Sequence, residues 1–160
     1  MKKPIFVLIF FIASVFLLES CGKNSSSQKS SANKGEAIVT LTSKTDFFTT
    51  VNKLQSAIVA NHLILLKEYN IQAMMKMVGT NIEPFNLYQI FQPKYGKILI
   101  ANDPAAFAST PLSIIIEQNG SKVEVIYRKP SNVYGIFDLP SSFTNKLDKL
   151  FAKIAADAAD

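Results

Sequence analysis

The side chains able to do chemistry in this 160-residue chain are few and scattered. There is one thiol, Cys21, and one imidazole, His62. Without a second cysteine, no disulfide scaffold or zinc–thiolate cluster can form within the chain. An imidazole can act as a ligand or general base, but that base needs an orienting partner and a nucleophile within hydrogen-bond reach. Nothing near His62 in sequence supplies them, so it is expected to be a junction residue between a helix and a strand. Met74-Met75-Lys76-Met77 is the most unusual local composition. Thioethers are soft and suit Cu(I). Core filling is nonetheless the expected role, with an exposed apolar partner surface as the alternative. No metal site is assigned, and Met74, Met77 and His62 are the residues that would have to furnish one. Asp46, Glu68, Glu83 and Asp103 share no spacing that pairs carboxylates for acid–base work. With no nucleophile elbow, zincin helix, P-loop or dinucleotide fingerprint, no catalytic residue and no cofactor are assigned.

Cys21 has a context of its own. Lys2 and Lys3 precede an apolar run from Ile5 to Leu18, followed by Glu19-Ser20-Cys21-Gly22. A basic start, an apolar stretch and a small residue before a cut make a secretory signal. Those 14 residues fall short of the roughly 20 a membrane span needs. The stretch resembles a bacterial lipoprotein signal, with Leu18 three positions before the cysteine, although Glu19 stands where small or neutral residues are usual. The resemblance implies cleavage before Cys21 and acyl chains, palmitate among them, on that residue. Two or more chains anchor stably, because each buried methylene adds about 0.8 kcal/mol. Gly22 is not an aspartate retention signal, which favours the outer membrane, facing the periplasm.

Residues 21–35 form a tether after the 1–20 signal. The segment GKNSSSQKSSANKG has no apolar residue but Ala32 and cannot bury enough surface to offset its ordering entropy. Such a coil spans about 20 Å. The formal charge of +5 is concentrated here and in the signal. Removing Lys2, Lys3, Lys23, Lys29, Lys34 and Glu19 from 17 basic and 12 acidic residues leaves 12 and 11 in residues 36–160. A near-neutral domain lacks the basic footprint of a nucleic-acid binder, so no such partner is expected.

The domain, 36–160, must position whatever side chains matter. Ala37 to Thr42 alternates and is β-branched, which predicts a strand. Ser43 or Thr45 offers a cap for a helix bearing Phe47, Val51, Leu54 and Ile58 on one face. That helix ends at Asn61, a residue that tolerates the left-handed position. Leu63 to Tyr69 predicts a second strand, Ile71 to Val78 a short helix stopped by Gly79, and Leu87 to Gln92 a third strand. Pro93 to Gly96 reads as a turn, and Lys97 to Asn102 fits either a strand or a helix. Ser113 to Gln118 and Lys122 to Arg128 flank Asn119-Gly120, a hairpin signal. Ser141 or Ser142 is expected to cap a last helix with Phe143, Leu147, Leu150, Phe151 and Ile154 on one face. The sum is an α+β fold, a single domain with a mainly antiparallel sheet and two long helices on one face. Phe47, Leu54, Ile90, Ile114, Ile116, Val125, Leu147 and Phe151 are its expected core.

Three stretches together resemble the bacterial DUF302 family: AIVTLTSKTDFFTTVNKLQSAI, IFQPKYGKILIANDPAAF and TPLSIIIEQNGSKVEVIYRKP. The resemblance covers Glu36 to Leu139 and implies a compact α+β fold, often self-associating, with no established activity. Many members carry an Asp-His pair after the second strand. Here the matching positions are Tyr69-Asn70, which removes the imidazole that metal or haem ligation there would use. Tyr69, Asn70, Phe91, Asn102 and Pro104 match the family's recurrent positions and are the candidate ligand or interface residues. Two functions stand. One is a non-enzymatic, lipid-anchored envelope module that binds a small ligand or another envelope protein, with a homodimer as one form. The other is a metal- or haem-bearing redox or enzyme accessory of the periplasm.

Overall fold

The computed structural model describes residues 37–160. Residues 1–36, with the signal, Cys21 and the tether, lie outside the described residues. Strand β1 (Ile38–Thr42) leads to helix α1 (Phe47–Ala60). Asp46 caps α1 by accepting from the Thr49 N–H at 3.1 Å, which satisfies one of the orphan donors of the first turn. The helix closes in a Schellman motif, with Leu63 N–H donating to Ile58 O (3.0 Å) and His62 N–H to Val59 O (2.9 Å). The left-handed residue of that motif is His62, φ 58°, rather than Asn61, φ −94°. Asn61 lies one position too early and instead turns its side chain onto Ala57 O.

Strand β2 (Ile64–Asn70) runs straight into helix α2 (Ile71–Met77), capped by the Asn70 side chain on the Ala73 N–H at 2.8 Å. Gly79, at φ 79°, takes the left-handed place in a second Schellman closure, Thr80 N–H to Met75 O. Strand β3 (Phe85–Phe91) follows. The expected turn at Pro93 is in fact the start of helix α3 (Pro93–Asn102), with Gln92 capping the Lys94 N–H. Proline at the first helical position loses no hydrogen bond and has its φ preset, so the apparent turn signal was a helix start. This also settles Lys97–Asn102 as helix. A 3₁₀ turn (Pro104–Ser109) leads into β4 (Leu112–Asn119) and β5 (Lys122–Arg128). Asn119 is still in the strand, paired with Lys122, so the loop is Gly120-Ser121, one residue later than the dipeptide suggested. A four-residue helix, α4 (Pro130–Val133), was not anticipated. Helix α5 (Ser141–Ala159) starts from Pro140 without a side-chain cap, so neither Ser141 nor Ser142 plays the expected role.

The sheet is wholly antiparallel, in the order β1-β5-β4-β3-β2. Period-2 alternation places Val123, Val125 and Tyr127, Ile114 and Ile116, and Tyr88 and Ile90 on one buried face. Helices α1 and α5 cover that face and contact each other. All eight expected core residues are buried there.

Candidate functional site

Three places in the domain bring chemistry-bearing side chains together. The first is polar and half-buried, with Asn86 and Tyr88 buried and Glu68 exposed. Glu68 Oε1 accepts from Asn86 Nδ2 (2.8 Å) and from the Tyr88 hydroxyl (3.3 Å), while Gln55 Nε2 donates to Glu68 Oε2 (3.1 Å). Burial and the nearby Glu68 charge hold the Tyr88 phenol far above its ordinary value, despite the opposing Asn86 bond. A phenol held neutral is a donor, not a base. The cluster satisfies Asn86 and Tyr88 under the helices.

The second is a cavity of about 30 Å³ at the end of the sheet where α3, the 3₁₀ turn and α5 meet. Its walls include Phe91, Tyr95, Gly96, Leu99, Tyr134 and Phe151. Gly96 lets the helix approach two rings, since a Cβ there would stand 3.1 Å from Phe91 and 3.2 Å from Phe107. Thr110 Oγ1 and the Tyr134 hydroxyl are 2.9 Å apart at its edge, and burial raises the Tyr134 phenol. The space suits about one water, far below the 300 Å³ or more of an ordinary ligand pocket.

The third is the sheet face that α1 and α5 leave uncovered. Cross-strand register assembles a row Thr40–Ile126–Ile115–Leu87–Tyr69 across all five strands. Ile126, Ile115, Leu87 and Tyr69 are only partly buried. A hollow of about 290 Å³ opens at one end of this face, by Ile38, Pro111 and Arg128, and one of about 710 Å³ at the other, by Ile71, Met75, Ile82 and Phe85. A one-sided antiparallel sheet normally shows polar residues outward, and this face departs from that along its central row.

The five candidate residues do not form one site. Phe91 lines the small cavity and packs at a tilt against Phe107, centroids 6.3 Å apart. Asn102 bonds back to Ile98 O at 2.8 Å, and Pro104 opens the 3₁₀ turn behind the Asp103 cap. Tyr69 belongs to the open face at the other end of β2, its hydroxyl 3.4 Å from Gln89 Oε1, and Asn70 is a helix cap. The methionines correct an expectation: Met77 is 86% and Met74 46% exposed, and α2 has no buried residue. They are surface rather than core filling, because a seven-residue helix continuing an edge strand reaches no second layer. His62 precedes β2 and the methionines follow it, so about 20 Å of strand separates them and they cannot share an ion. Among the described residues no group of three His, Cys, Asp or Glu side chains is arranged to hold a metal.

An α+β module with one helix-roofed and one open sheet face is the class that these elements define. The model of the family described as "Domain of unknown function DUF302" matches residues 39–159, and the chain belongs to that family. The match runs through α5, the C-terminal helix that follows the three resembling stretches. The crystal structure of an uncharacterized conserved DUF302 protein from Bacillus stearothermophilus has the same fold, with TM-score 0.68 and 14% identity over 76% of this chain and 97% of that one. No curated protein matches the sequence.

Sequence reasoning missed Tyr95, Gly96, Thr110 and Tyr134, which reach the cavity from separate segments. It also missed the open face. A signal for that face was present: Ser113-Ile114-Ile115-Ile116 is apolar at both parities, the mark of a strand buried on two sides.

Proposed function

We propose that the protein is a lipid-anchored component of the bacterial cell envelope, held at the outer membrane through Cys21 and facing the periplasm. Its domain is a non-enzymatic module that binds protein through the open sheet face. The contrast between that face and the small cavity carries this reading: space for about one water inside, against the apolar row Ile126–Ile115–Leu87, ended by Thr40 and Tyr69, outside. The hollows at the two ends of that face are open to solvent rather than enclosing, which favours a protein over a small ligand. A metal- or haem-bearing accessory gains nothing from it, since His62 and the Met74–Met77 cluster stand at opposite ends of β2.

The test is a photo-crosslinking amino acid at Leu87 in the full chain, expressed in a cell envelope, with Phe48 on the helix side as control. A discrete protein adduct at Leu87, absent at Phe48, is expected. Equal labelling at both sites, or none at Leu87, refutes the binding face.

A further inference from the structure

We propose that the domain docks on an anionic lipid surface through the end of the sheet at which β1 begins. This rests on the lipid-anchor reading above and adds an orientation to it. Ala37 is the first described residue, and Ile38 opens β1 opposite Arg128, the last residue of β5. Register sets the starts of β4 and β2 and the end of β3 at the same end: Leu112 pairs with Ile90, and Ile64 with Phe91. The segments that join β3 to β4 and that follow β5 therefore leave from this end. They are α3, the 3₁₀ turn, α4 and residues 134–140. A lipid on Cys21 would keep this end nearest the bilayer, because the composition of the tether gives it a span of about 20 Å.

Three exposed apolar side chains come together at that end. Gly96 and Ile100 lie one turn apart on the same face of α3, and the Phe107 ring rests against Gly96. The Thr110–Tyr134 hydroxyl contact and a bond from Asp138 N–H to Asp103 Oδ2 (3.2 Å) tie residues 134–138 to the 3₁₀ turn. Ile136 lies between those two fastenings and is 86% exposed; Ile100 is 60% and Phe107 36% exposed. Cations frame the patch: Lys94 and Lys97 on α3, and Arg128 and Lys129 at the end of β5. Arg128 donates to Asn132 O (3.1 Å), one use of a five-donor fork. The carboxylates here are Asp103 and Asp138. Asp103 already accepts from the Ala105 and Asp138 N–H groups, whereas the Asp138 side chain is exposed. Lys146 and Asp148, early in α5, offset each other, as do Lys34 and Glu36 just before Ala37, and His62 counts as neutral.

The far end has the opposite sign. There Lys44, Lys76 and Lys122 stand among Asp46, Glu83, Glu117, Glu124 and Asp160, while Lys153 and Asp157 pair within α5. Apolar exposure alone does not choose an end, since α2 turns Met74, Met77 and Val78 outward at the far one. Charge and the place where the chain enters do. Anionic headgroups attract the lysines and arginine and repel a carboxylate-rich end, and the apolar side chains then enter the boundary between headgroups and acyl chains. The contact need not be tight, because a short tether holds the surface at an effective concentration of about a millimolar. Docked in this way, the strands stand on the bilayer and the open sheet face looks along it, clear of lipid and within reach of protein.

The experiment places a photo-crosslinking amino acid at Ile136 or at Met77 in the acylated chain, reconstituted in vesicles of phosphatidylethanolamine and phosphatidylglycerol. The two side chains are equally exposed, 86% each, and stand at opposite ends of the sheet. Phospholipid adducts, quantified by mass spectrometry, are expected to be roughly fivefold or more abundant at 136. They are expected to fall roughly threefold in phosphatidylcholine vesicles, at high salt, and in a Lys94→Glu/Lys97→Glu variant. A circular dichroism melt of that variant checks its fold, and the vesicle and salt arms need no variant. Equal adducts at 136 and 77, or a yield at 136 indifferent to vesicle charge and salt, overturns the docking surface. So does a protein adduct in place of lipid at 136 in the intact envelope. If mass spectrometry finds Cys21 without acyl chains, the anchor reading falls by itself. The same chain, coupled through Cys21 to a maleimide lipid, then tests the docking surface alone against the same outcomes.

Discussion

Raising the pH above 10 attacks three buried phenols at once. Tyr88, Tyr127 and Tyr134 are nearly inaccessible, and burial is the first cause of the upward shift in each. Glu68 adds to it at Tyr88, and Asp148 at Tyr127. Because the folded-state values are raised, the stabilisation is complete below the unfolded value of 10.0 and is lost as pH climbs from there toward the folded values. At pH 11 an ionised unfolded chain set against a native Tyr88 that stays protonated costs about 1.4 kcal/mol. Tyr127 and Tyr134 add losses of the same sign, against the roughly 5–15 kcal/mol typical of a domain. Urea titrations at pH 8, 9, 10 and 11, followed by circular dichroism, measure the loss, and phenolate absorbance at 295 nm should rise together with unfolding. A Tyr88→Phe variant, compared with its own value at pH 8, should lose about 1.4 kcal/mol less than wild type at pH 11. Equal stability at pH 9 and 11, or full phenolate absorbance in the folded protein, would refute the assignment of these phenols to a dry interior.

Other perturbations probe single features. Glycine at His62, where φ is 58°, relieves a left-handed side chain and should stabilise the fold by about 0.5–1 kcal/mol in chemical denaturation; a drop in stability would contradict the Schellman assignment. Phe151→Ala removes a ring that lines the cavity and lies 6.0 Å from Tyr127, which should cost about 3–5 kcal/mol. The Thr49 bonds hold the Asp46 carboxyl below its ordinary 3.8, so its cap contributes above that pH and is lost in acid. Asp46→Ala should lower the melting temperature at pH 7, and the gap from wild type should close as pH falls below 3.8. Cys21→Ser should abolish labelling by radioactive palmitate; undiminished labelling would remove the lipid anchor.

What could be read from sequence was local. Phe47, Leu54 and Leu147 were placed correctly because helical spacing marks a buried stripe, and Ile114, Ile116 and Val125 because alternation marks a buried face. Pro93 and Gly96 misled because proline opens helices as readily as turns, and Gly96 answers to two rings distant in the chain rather than to its own backbone. Met74 and Met77 misled because apolar composition does not state whether a second layer exists to receive it. The open face escaped for the same reason. Ile115 and Ile126 become neighbours only through register, and which side of the sheet the helices cover is decided by chain reversals that no single strand encodes.

Strand β1 is an edge strand, joined on one side only, through five residue pairs from Ile38–Arg128 to Thr42–Glu124. It is also the first element among the described residues. A pull from its N-terminal side therefore reaches the sheet at Ala37, whose carbonyl accepts from the Lys129 N–H, and then Ile38. Directed across the sheet, the pull unzips the β1–β5 pairs one after another, starting beside Arg128. Directed along the strand, it loads all five pairs together. The same contact would yield easily to a sideways tug and resist a lengthwise one, and the far end of β1 is further held by Lys44, whose backbone N–H bonds Ala159 O and whose ammonium pairs with Asp160. The domain's resistance to force thus depends on direction, a property that its equilibrium stability does not report.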